Sequence, residues 1–534
     1  MRIQQMIRPV GLVLLMACLA SCGQAVDDST TLHRGNRIEP LTLDPHVAVI
    51  MDERNIVSDM FVGLYEANPE GAPQPALAET VDVSDDGLIW TFSMRRTVWS
   101  DGEPVTAHDV VAGLRRNLDP NTRNQYPSPL FMLENAEAVN QGRMPGESLG
   151  ASALDDYTVQ LELGYPAPYL PSVLMFWAQP APRHAIAEFG EDWMRPENLV
   201  SNGPFSLVEW RTNNFIHVTA NPTYYEAEDV CLSDVYYYPT VDTASAERRV
   251  RTGELDTNRE FEATRLEFLQ EHNPDLIRMS PGLNVNEITL NTTVAPFDDV
   301  RVRQAMSMTI DRQFIADQVL AGADAPVWRV VPDAITGTDA SVGMHFAGEQ
   351  MEMRRQQARA LLEEAGYGPD NPLTFSLYFH RGGGWPRIVP VIQADWALIA
   401  PWVQVELLGR DTQLHYDALR AGDYQAGSGG WIPDFDDPYA YLLQWETRAA
   451  DMNYTRWQNP QYDAWVDAAV NSSDPATREL LYGRAEQLVI DEVAMIPIFR
   501  INTKNLVGPR VTGWIANPVA INRSRWLCVD GAAD

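Results

Sequence analysis

The first 22 residues constrain the chain more than any other segment, because they predict the compartment in which the rest folds. Arg2 and Arg8 precede an apolar run at 10–20, and Leu19-Ala20-Ser21-Cys22 has the form of a lipobox. Such a run is too short to cross a hydrocarbon core of about 30 Å, so residues 1–22 are interpreted as a cleaved lipoprotein signal peptide. We expect a mature chain that begins at Cys22 and is anchored by acyl chains on that residue. An unlipidated secreted protein is the alternative.

Acidic residues strongly outnumber basic ones. The 534 residues include 73 Asp and Glu against 40 Lys and Arg, a formal net charge of −33, and loss of Arg2 and Arg8 with the signal removes two positive charges and leaves −35. This charge repels nucleic acid and anionic lipid surfaces. We therefore expect no nucleic-acid partner and membrane attachment only through the lipid anchor. An acidic surface is usually solubilising, and it also favours cationic ligands at long range, up to the distance of roughly 8 to 10 Å beyond which salt screens the charge.

Strand-like and helix-like patterns alternate along the rest of the chain. Apolar and polar side chains alternate, as in half-buried strands, at 88–94, 158–163, 373–378 and 403–407. Apolar residues recur at helical spacing at 357–366 and 475–489. With this length and 45% hydrophobic residues, the chain is predicted to be a mixed α/β protein of two or three domains.

Two of the four cysteines remain for the folded protein. Cys18 leaves with the signal and Cys22 is acylated, which leaves Cys231 and Cys528. An oxidising compartment allows these two to pair. The sequence does not say whether their Cα atoms approach within about 7 Å, so a disulfide and two separate buried thiols both stay open.

Motifs of hydrolytic, metal or nucleotide chemistry are absent from the sequence. There is no His-Glu-x-x-His zinc helix, no Gly-x-x-x-x-Gly-Lys phosphate loop and no Gly-x-Ser-x-Gly elbow, and the nine histidines are scattered. We therefore expect a protein that is not an enzyme and that needs no metal or cofactor. An exported peptidase is the alternative from that class, since catalytic triads are defined in space and not in sequence.

An acidic cluster consists of Asp434, Asp436 and Asp437, between Trp431-Ile432-Pro433 and Pro438. Three carboxylates so close suit calcium, but the spacing lacks the twelve-residue frame and final Glu of an EF-hand. A solvated acidic loop is a second interpretation. The third is a carboxylate held in a cleft to receive a positively charged ligand group.

A series of short motifs extends over nearly the whole mature chain. They are LDP at 43–45, PALAE at 75–79, WTF at 90–92, WSDG at 99–102, PVTA at 104–107, DPNT at 119–122, SNGP at 201–204, PFDDVRVR at 296–303, and the segments 358–367 and 431–438. In these motifs and their order the chain resembles the solute-binding proteins of ABC importers for oligopeptides, dipeptides and nickel. The oligopeptide-binding branch fits best.

The resemblance implies an α/β, two-lobed periplasmic-binding-protein fold of class II, cluster C type, with an extra domain in the first lobe. Domain I would comprise 23–61, 183–282 and 501–534, domain II 62–182, and domain III 283–500. The lobes would close about a hinge and bury the ligand between them. Cys231 and Cys528 would then lie in one domain, which favours a disulfide between them.

The resemblance also assigns ligand-binding residues. A peptide would be held as an added strand between the backbone segments Val49-Ile50-Met51 and Gly430-Trp431-Ile432. Asp434 stands where the family's aspartate receives the peptide α-ammonium, and Tyr126 matches a ligand-contacting tyrosine. For Trp431, packing in the core is an equal alternative.

The chain departs from the pattern of the oligopeptide binders at two pairs of residues. Asn284 and Ile432 stand where those proteins carry a disulfide within domain III. Arg259 and Glu260 replace a tyrosine and an asparagine in a ligand-facing segment. The second change indicates an altered preference for ligand length or charge.

The positions that hold the ligand's C-terminal carboxylate also differ. Leu419, Ser428 and Trp385 stand where the oligopeptide binders place basic residues. Arg381 and Arg420 are close in the sequence and are candidates to replace them. The amine end of the ligand site is therefore better supported than the carboxylate end.

The predicted function is that of a monomeric substrate-binding lipoprotein that captures oligopeptides in the periplasm and delivers them to the permease and ATPase subunits of an ABC importer. A relative that binds another solute is the first alternative: a murein peptide, an opine-like amine or a metal chelate. Asp434 favours an amine. A surface lipoprotein that acts mainly through protein contacts is a further alternative, which would require a large exposed apolar patch.

Overall fold

A computed structural model of the protein describes residues 28–449 and 452–530. The predicted signal peptide and the acylation site at Cys22 lie outside these residues. In the described part of the chain, no helix is both long enough and apolar enough to cross a membrane.

Helices and strands are numbered in chain order. The helices are α1 (Met51–Met60), α2 (Ala107–Leu118), α3 (Ala136–Asn140), α4 (Leu170–Trp177), α5 (Arg183–Phe189), α6 (Thr243–Arg251), α7 (Leu266–His272), α8 (Val300–Met308), α9 (Arg312–Phe314), α10 (Met351–Glu364), α11 (Trp385–Ala397), α12 (Thr412–Ala421), α13 (Tyr439–Leu442), α14 (Pro460–Val470) and α15 (Pro475–Asp491). The strands are β1 (Thr31–Gly35), β2 (Tyr65–Ala67), β3 (Pro73–Pro75), β4 (Ala78–Val83), β5 (Ile89–Met94), β6 (Ala151–Asp155), β7 (Thr158–Glu162), β8 (Phe205–Arg211), β9 (Phe215–Ala220), β10 (Asp234–Tyr238), β11 (Thr257–Arg259), β12 (Ile277–Leu290), β13 (Ala325–Pro326), β14 (Leu373–His380), β15 (Val403–Arg410), β16 (Ala426–Trp431), β17 (Met495–Val507), β18 (Val511–Thr512) and β19 (Cys528–Val529).

Local sequence explains where several of these elements begin. Thr106 and Asp109 form a capping box at the start of α2, in which the Thr106 N–H donates to the Asp109 carboxylate over 2.8 Å. The carboxylate of Asp474 accepts from the Thr477 N–H, and Pro475 occupies the first turn of α15. The predicted strands coincide with β5, β7, β14 and β15, and the predicted helices with α10 and α15. The mixed α/β prediction is confirmed.

One large sheet has the strand order β15-β14-β16-β12-β17-β11-β1-β10-β9-β8, with β13 paired to β17. The long strands β12 and β17 run antiparallel at its centre, and their register shifts between the pairs Ser280–Thr503 and Asn284–Ile501. A separate antiparallel sheet has the order β4-β5-β7-β6. The long central strands therefore join two halves of a two-lobed molecule.

The main hydrophobic core includes fully buried residues from the centre and both flanks of the large sheet. These are Leu32 of β1, Ile288 of β12, Leu377 of β14 and Ile496 of β17. A smaller core forms around Leu255 and Leu269, beside α6 and α7. Burial of such side chains is the main stabilising contribution to the fold.

A disulfide joins Cys231 and Cys528, whose Cα atoms are 5.3 Å apart. The two residues are separated by 297 positions in the sequence. The bond links the short C-terminal strand β19 to the segment that precedes β10. The C-terminal segment is thereby fixed to the half of the sheet that contains β1.

The strands that position the candidate site end at one edge of the large sheet. β14 pairs in parallel with β15 and with β16, so the carboxyl ends of these strands face the same way. In open α/β sheets, ligands bind in the crevice outside the carboxyl ends of the strands. The residues that follow Trp431 at the end of β16 therefore lie at the expected place for a ligand.

Candidate functional site

Asp434 lies in the loop between β16 and α13 and meets a residue that is distant in the sequence. The Tyr126 hydroxyl donates a hydrogen bond to Asp434 Oδ2 over 2.6 Å. Burial raises the pKa of the Asp434 carboxyl, an effect opposed by this hydrogen bond and by the positive charge of Arg54. A carboxylate held in a desolvated place with few partners is suited to a cationic ligand group.

Arg54, in the first turn of α1, is the nearest cation that acts on this carboxylate. Its guanidinium lies 4.0 Å from the ring centroid of Trp177 and 5.6 Å from that of Phe176. Its Nε is buried and has no hydrogen-bond partner among the described residues. Burial lowers the pKa of Arg54 to about 10, against the influence of Asp434, Tyr126 and Glu53. The guanidinium stays positively charged at neutral pH.

The other two acids of the cluster have different roles. Asp436 accepts hydrogen bonds from the backbone N–H (2.8 Å) and the hydroxyl (2.6 Å) of Thr336. Asp437 is buried, forms an ion pair of 2.7 Å with Arg478, and accepts from the Tyr439 N–H at the start of α13. The solvated-loop interpretation is therefore wrong for Asp437. Across the described ranges, no group of three or more His, Cys, Asp or Glu side chains is arranged to hold a metal ion.

The segment Gly430-Trp431-Ile432 lies at the end of β16. Gly430 is paired with Asn286 of β12, and the Ile432 side chain is 65% exposed. The Trp431 indole donates to the Ala440 carbonyl over 2.6 Å and packs against the main core. The structure thus supports the packing role of Trp431 that the sequence left as an alternative.

The segment Val49-Ile50-Met51 lies at the start of α1. The backbone N–H groups of Val49 and Ile50 donate to Glu53 Oε2 over 3.1 and 3.3 Å, while Glu53 Oε1 accepts from the Leu41 N–H. Met51 is the first residue of the helix. Glu53 therefore occupies N–H groups that an added ligand strand would otherwise use here.

Arg259 and Glu260 belong to a network of ion pairs beside α1. Arg259 Nη1 donates to Asp52 Oδ1 over 2.8 Å. Arg37 lies 3.1 Å from Glu260 and 3.6 Å from Asp52. The charges of Arg37 and Arg259 are thus balanced by those of Asp52 and Glu260. Arg259 already has an ion-pair partner within the protein.

The three positions that differ from the basic residues of the oligopeptide binders are buried. Leu419 is 1% exposed, Ser428 0% and Trp385 2%. Arg381 is exposed and donates to the Gly409 carbonyl over 3.3 Å, and Arg420 forms an exposed ion pair of 2.6 Å with Asp417. Both arginines therefore lie at the surface, whereas the three positions on α11, α12 and β16 are buried.

A group of buried polar residues next to Ser428 was not identified from the sequence. His415 lies with its Nε2 2.7 Å from the Ser428 carbonyl, and the rings of His380 and His415 are 5.7 Å apart. Nδ1 of each histidine and Oε2 of Glu287 are buried without a hydrogen-bond partner in the described structure. Burial lowers the pKa of both histidines and raises that of Glu287 to about 7. These residues come from three different elements, His380 from β14, His415 from α12 and Glu287 from β12, so the sequence gave no sign of their proximity.

The chain is similar to known proteins over most of its length. The model of bacterial extracellular solute-binding proteins, family 5 Middle, matches residues 72–453. The chain is 31% identical to the periplasmic oligopeptide-binding protein OppA of Escherichia coli (strain K12), over 93% of this chain and 92% of that protein. It is 33% identical to the probable deoxycholate-binding periplasmic protein YgiS of the same strain, over 90% of each. The unliganded open form of the murein tripeptide binding protein MppA of Escherichia coli is similar in structure, with a TM-score of 0.83 at 29% identity over 94% of this chain and 98% of that one.

Proposed function

Because this chain belongs to the bacterial extracellular solute-binding proteins of family 5, we propose that it captures oligopeptides in the periplasm and delivers them to the permease of an ABC importer. The permease and its ATPase subunits supply transport and energy, and this protein supplies binding without bond chemistry. We place it at a cell-envelope membrane through acyl chains on Cys22, as a monomer.

One observation carries the peptide assignment: the half-buried Asp434 carboxylate in the loop after β16, which accepts a hydrogen bond from the Tyr126 hydroxyl and has a raised pKa because of burial. A peptide α-amine titrates near pH 8 and is charged at neutral pH, so it forms a charge-assisted hydrogen bond with a carboxylate. In a closed cleft with little water this interaction is stronger than at a surface. Asp434 therefore holds the amino end of the ligand.

The proposed hinge lies where β12 and β17 change register, between the pairs Ser280–Thr503 and Asn284–Ile501. This position agrees with the domain boundaries implied by the family, at 282/283 and 500/501. Bending at such a place moves domain III against domains I and II with few broken hydrogen bonds. Closure would then bury the ligand next to Asp434.

A second candidate function is the binding of a non-peptide solute by the same cleft. The observation in its favour is that Leu419, Ser428 and Trp385 are uncharged and buried. These positions therefore offer no cation to the carboxylate of a peptide. The relative YgiS is named for probable deoxycholate binding. A murein peptide, an opine-like amine or a metal chelate would also fit a site that is defined mainly at its amine end.

Native mass spectrometry of the protein purified from its host, without added ligand, distinguishes these candidates. Denaturation releases the bound molecules for sequencing. We expect a set of peptides of two to about five residues, because recognition of the ligand's α-ammonium by Asp434 tolerates different side chains along the peptide. A single non-peptide mass would contradict the oligopeptide assignment and favour the second candidate.

A further inference from the structure

We propose that Arg54 recognises an anionic group that the ligand carries beside its amine. The preferred solutes would then be peptides with an acidic residue at the first or second position, in which a carboxylate lies within a few ångströms of the α-ammonium. This inference rests on the proposed function, and it adds a charge preference that the peptide assignment alone does not include.

The first support is the lack of a polar partner for Arg54. Within residues 28–449 and 452–530, its guanidinium has neither an ion pair within 4.0 Å nor a side-chain hydrogen bond, and its Nε is buried. The neighbouring Arg37 and Arg259 are paired with Asp52 and Glu260. A buried donor without an acceptor is unfavourable. A ligand that supplies an acceptor there therefore lowers the free energy of the complex.

The second support is the contact of this group with Trp177. The guanidinium carbon lies 4.0 Å from the Trp177 ring centroid, close enough for a cation–π contact. This contact attracts the charge of the guanidinium but supplies no hydrogen-bond acceptor for its N–H groups. Those donors lie in the guanidinium plane and match the two oxygens of a carboxylate.

The third support is the relation between Arg54 and Asp434. The two are near enough for the arginine charge to lower the pKa of the carboxyl, yet no nitrogen of Arg54 lies within 4.0 Å of it. The Tyr126 hydroxyl, in the segment proposed as domain II, donates a hydrogen bond to the same Asp434 carboxylate. A ligand with both charges would pair its ammonium with Asp434 and its carboxylate with Arg54. A ligand with only positive groups would be repelled by the arginine.

A matched titration tests the inference. Binding of Ala-Glu-Ala and Glu-Ala-Ala is compared with that of the neutral isosteres Ala-Gln-Ala and Gln-Ala-Ala, by calorimetry, for the wild type and Arg54→Gln. We expect the wild type to prefer at least one Glu peptide over its isostere by about tenfold to a hundredfold, as hydrogen bonds to charged groups do. In Arg54→Gln the preference should vanish, through a loss for the Glu peptide and little change for the Gln peptide.

The control is Arg96→Gln. Arg96 also lies over an aromatic ring, that of Tyr157 at 4.5 Å, but it is exposed and belongs to the β4-β5-β7-β6 part of the molecule. This variant should keep the wild-type preference. Arg54→Lys, which retains the charge, should keep a reduced preference and serves as the second variant if Arg54→Gln unfolds at a lower temperature.

The outcomes separate this inference from the proposed function. Binding of the Gln peptides with no preference for Glu in the wild type would overturn the role of Arg54 and leave peptide capture intact. If the Arg54 variants change the affinity for Glu and Gln peptides equally, Arg54 acts only as a counter-charge to Asp434. That result also overturns the inference. Absence of binding to all four peptides would contradict both.

Discussion

Tyr126 and Asp434 are 308 residues apart in the sequence, and the hydroxyl of the first donates to the carboxylate of the second over 2.6 Å. Next to this bond, Phe435 stacks on Tyr169 with a centroid distance of 4.0 Å. Both contacts join the loop after β16 to the part of the chain assigned to domain II. The carboxylate proposed for the ligand amine is therefore held by a side chain from a distant part of the chain.

The pH below which ligand affinity is lost should depend on the hydrogen bond between Tyr126 and Asp434. Because burial raises the pKa of Asp434, protonation should abolish binding of the ammonium at a higher pH than for an ordinary aspartate. Tyr126→Phe removes a bond that lowers this pKa, so the acid limb of affinity should move to higher pH. Calorimetry with one tripeptide between pH 4 and 7 measures the shift. An acid limb at the same pH in both proteins would contradict the role of Tyr126.

The two other acids of the cluster provide matched controls with different outcomes. Asp437→Ala leaves the buried Arg478 without its ion-pair partner, and we expect a loss of about 3 to 5 kcal/mol in the free energy of unfolding. Asp436→Ala removes only hydrogen bonds to Thr336 and should leave peptide affinity within about threefold of the wild type. Urea denaturation and calorimetry measure the two effects. A stable Asp437→Ala variant would be inconsistent with a buried pair.

Glu287 should make folding stability depend on pH. Burial raises its pKa to about 7, so between about pH 4.5 and 7 the folded protein holds a proton that the unfolded chain has released. Its contribution to stability is thus complete below that window and is lost as pH rises through it. At about 1.4 kcal/mol per pKa unit, the loss is about 3 kcal/mol.

The measurement compares urea denaturation of the wild type and Glu287→Gln at several pH values. The difference in free energy of unfolding between the two should change across this window and stay constant above it. Glu406→Gln is the control, because Glu406 is exposed on β15. A difference that does not change with pH would show that Glu287 is ionised in the folded protein throughout.

The disulfide should contribute to stability because it closes a long loop. Replacement of Cys231 and Cys528 by serine should lower the free energy of unfolding by about 2 to 5 kcal/mol. Thiol counting on the denatured, unreduced protein without its signal and Cys22 should find no free thiol. Two free thiols would contradict the bond.

The sequence predicted the fold well where the pattern is local. Alternation predicted β5, β7, β14 and β15, and helical spacing predicted α10 and α15. These elements follow from side-chain period and from the hydrogen-bond needs of helix ends. The family motifs then predicted the two-lobed α/β architecture.

The candidate site was predicted less completely, because its contacts join distant segments. The position of Asp434 was expected from a motif, but its bond to Tyr126 and the stacking of Arg54 on Trp177 depend on how the domains meet. Arg54 lies in an ordinary helical turn, and its sequence gave no sign that it would lack a polar partner. Arg259 was expected to face the ligand, and its pairing with Asp52 was also invisible in the sequence.

The central claim is that Asp434 receives the α-ammonium of a peptide, and one calorimetric cycle tests it directly. Tri-alanine and its N-acetylated form are titrated into the wild type and into Asp434→Asn, with thermal unfolding as the check on folding. We predict that acetylation and the substitution each weaken binding by about two decades or more, and that the substitution has little further effect on the acetylated peptide, because both remove the same ion pair. Equal affinity of the wild type for the free and acetylated peptides would contradict the account.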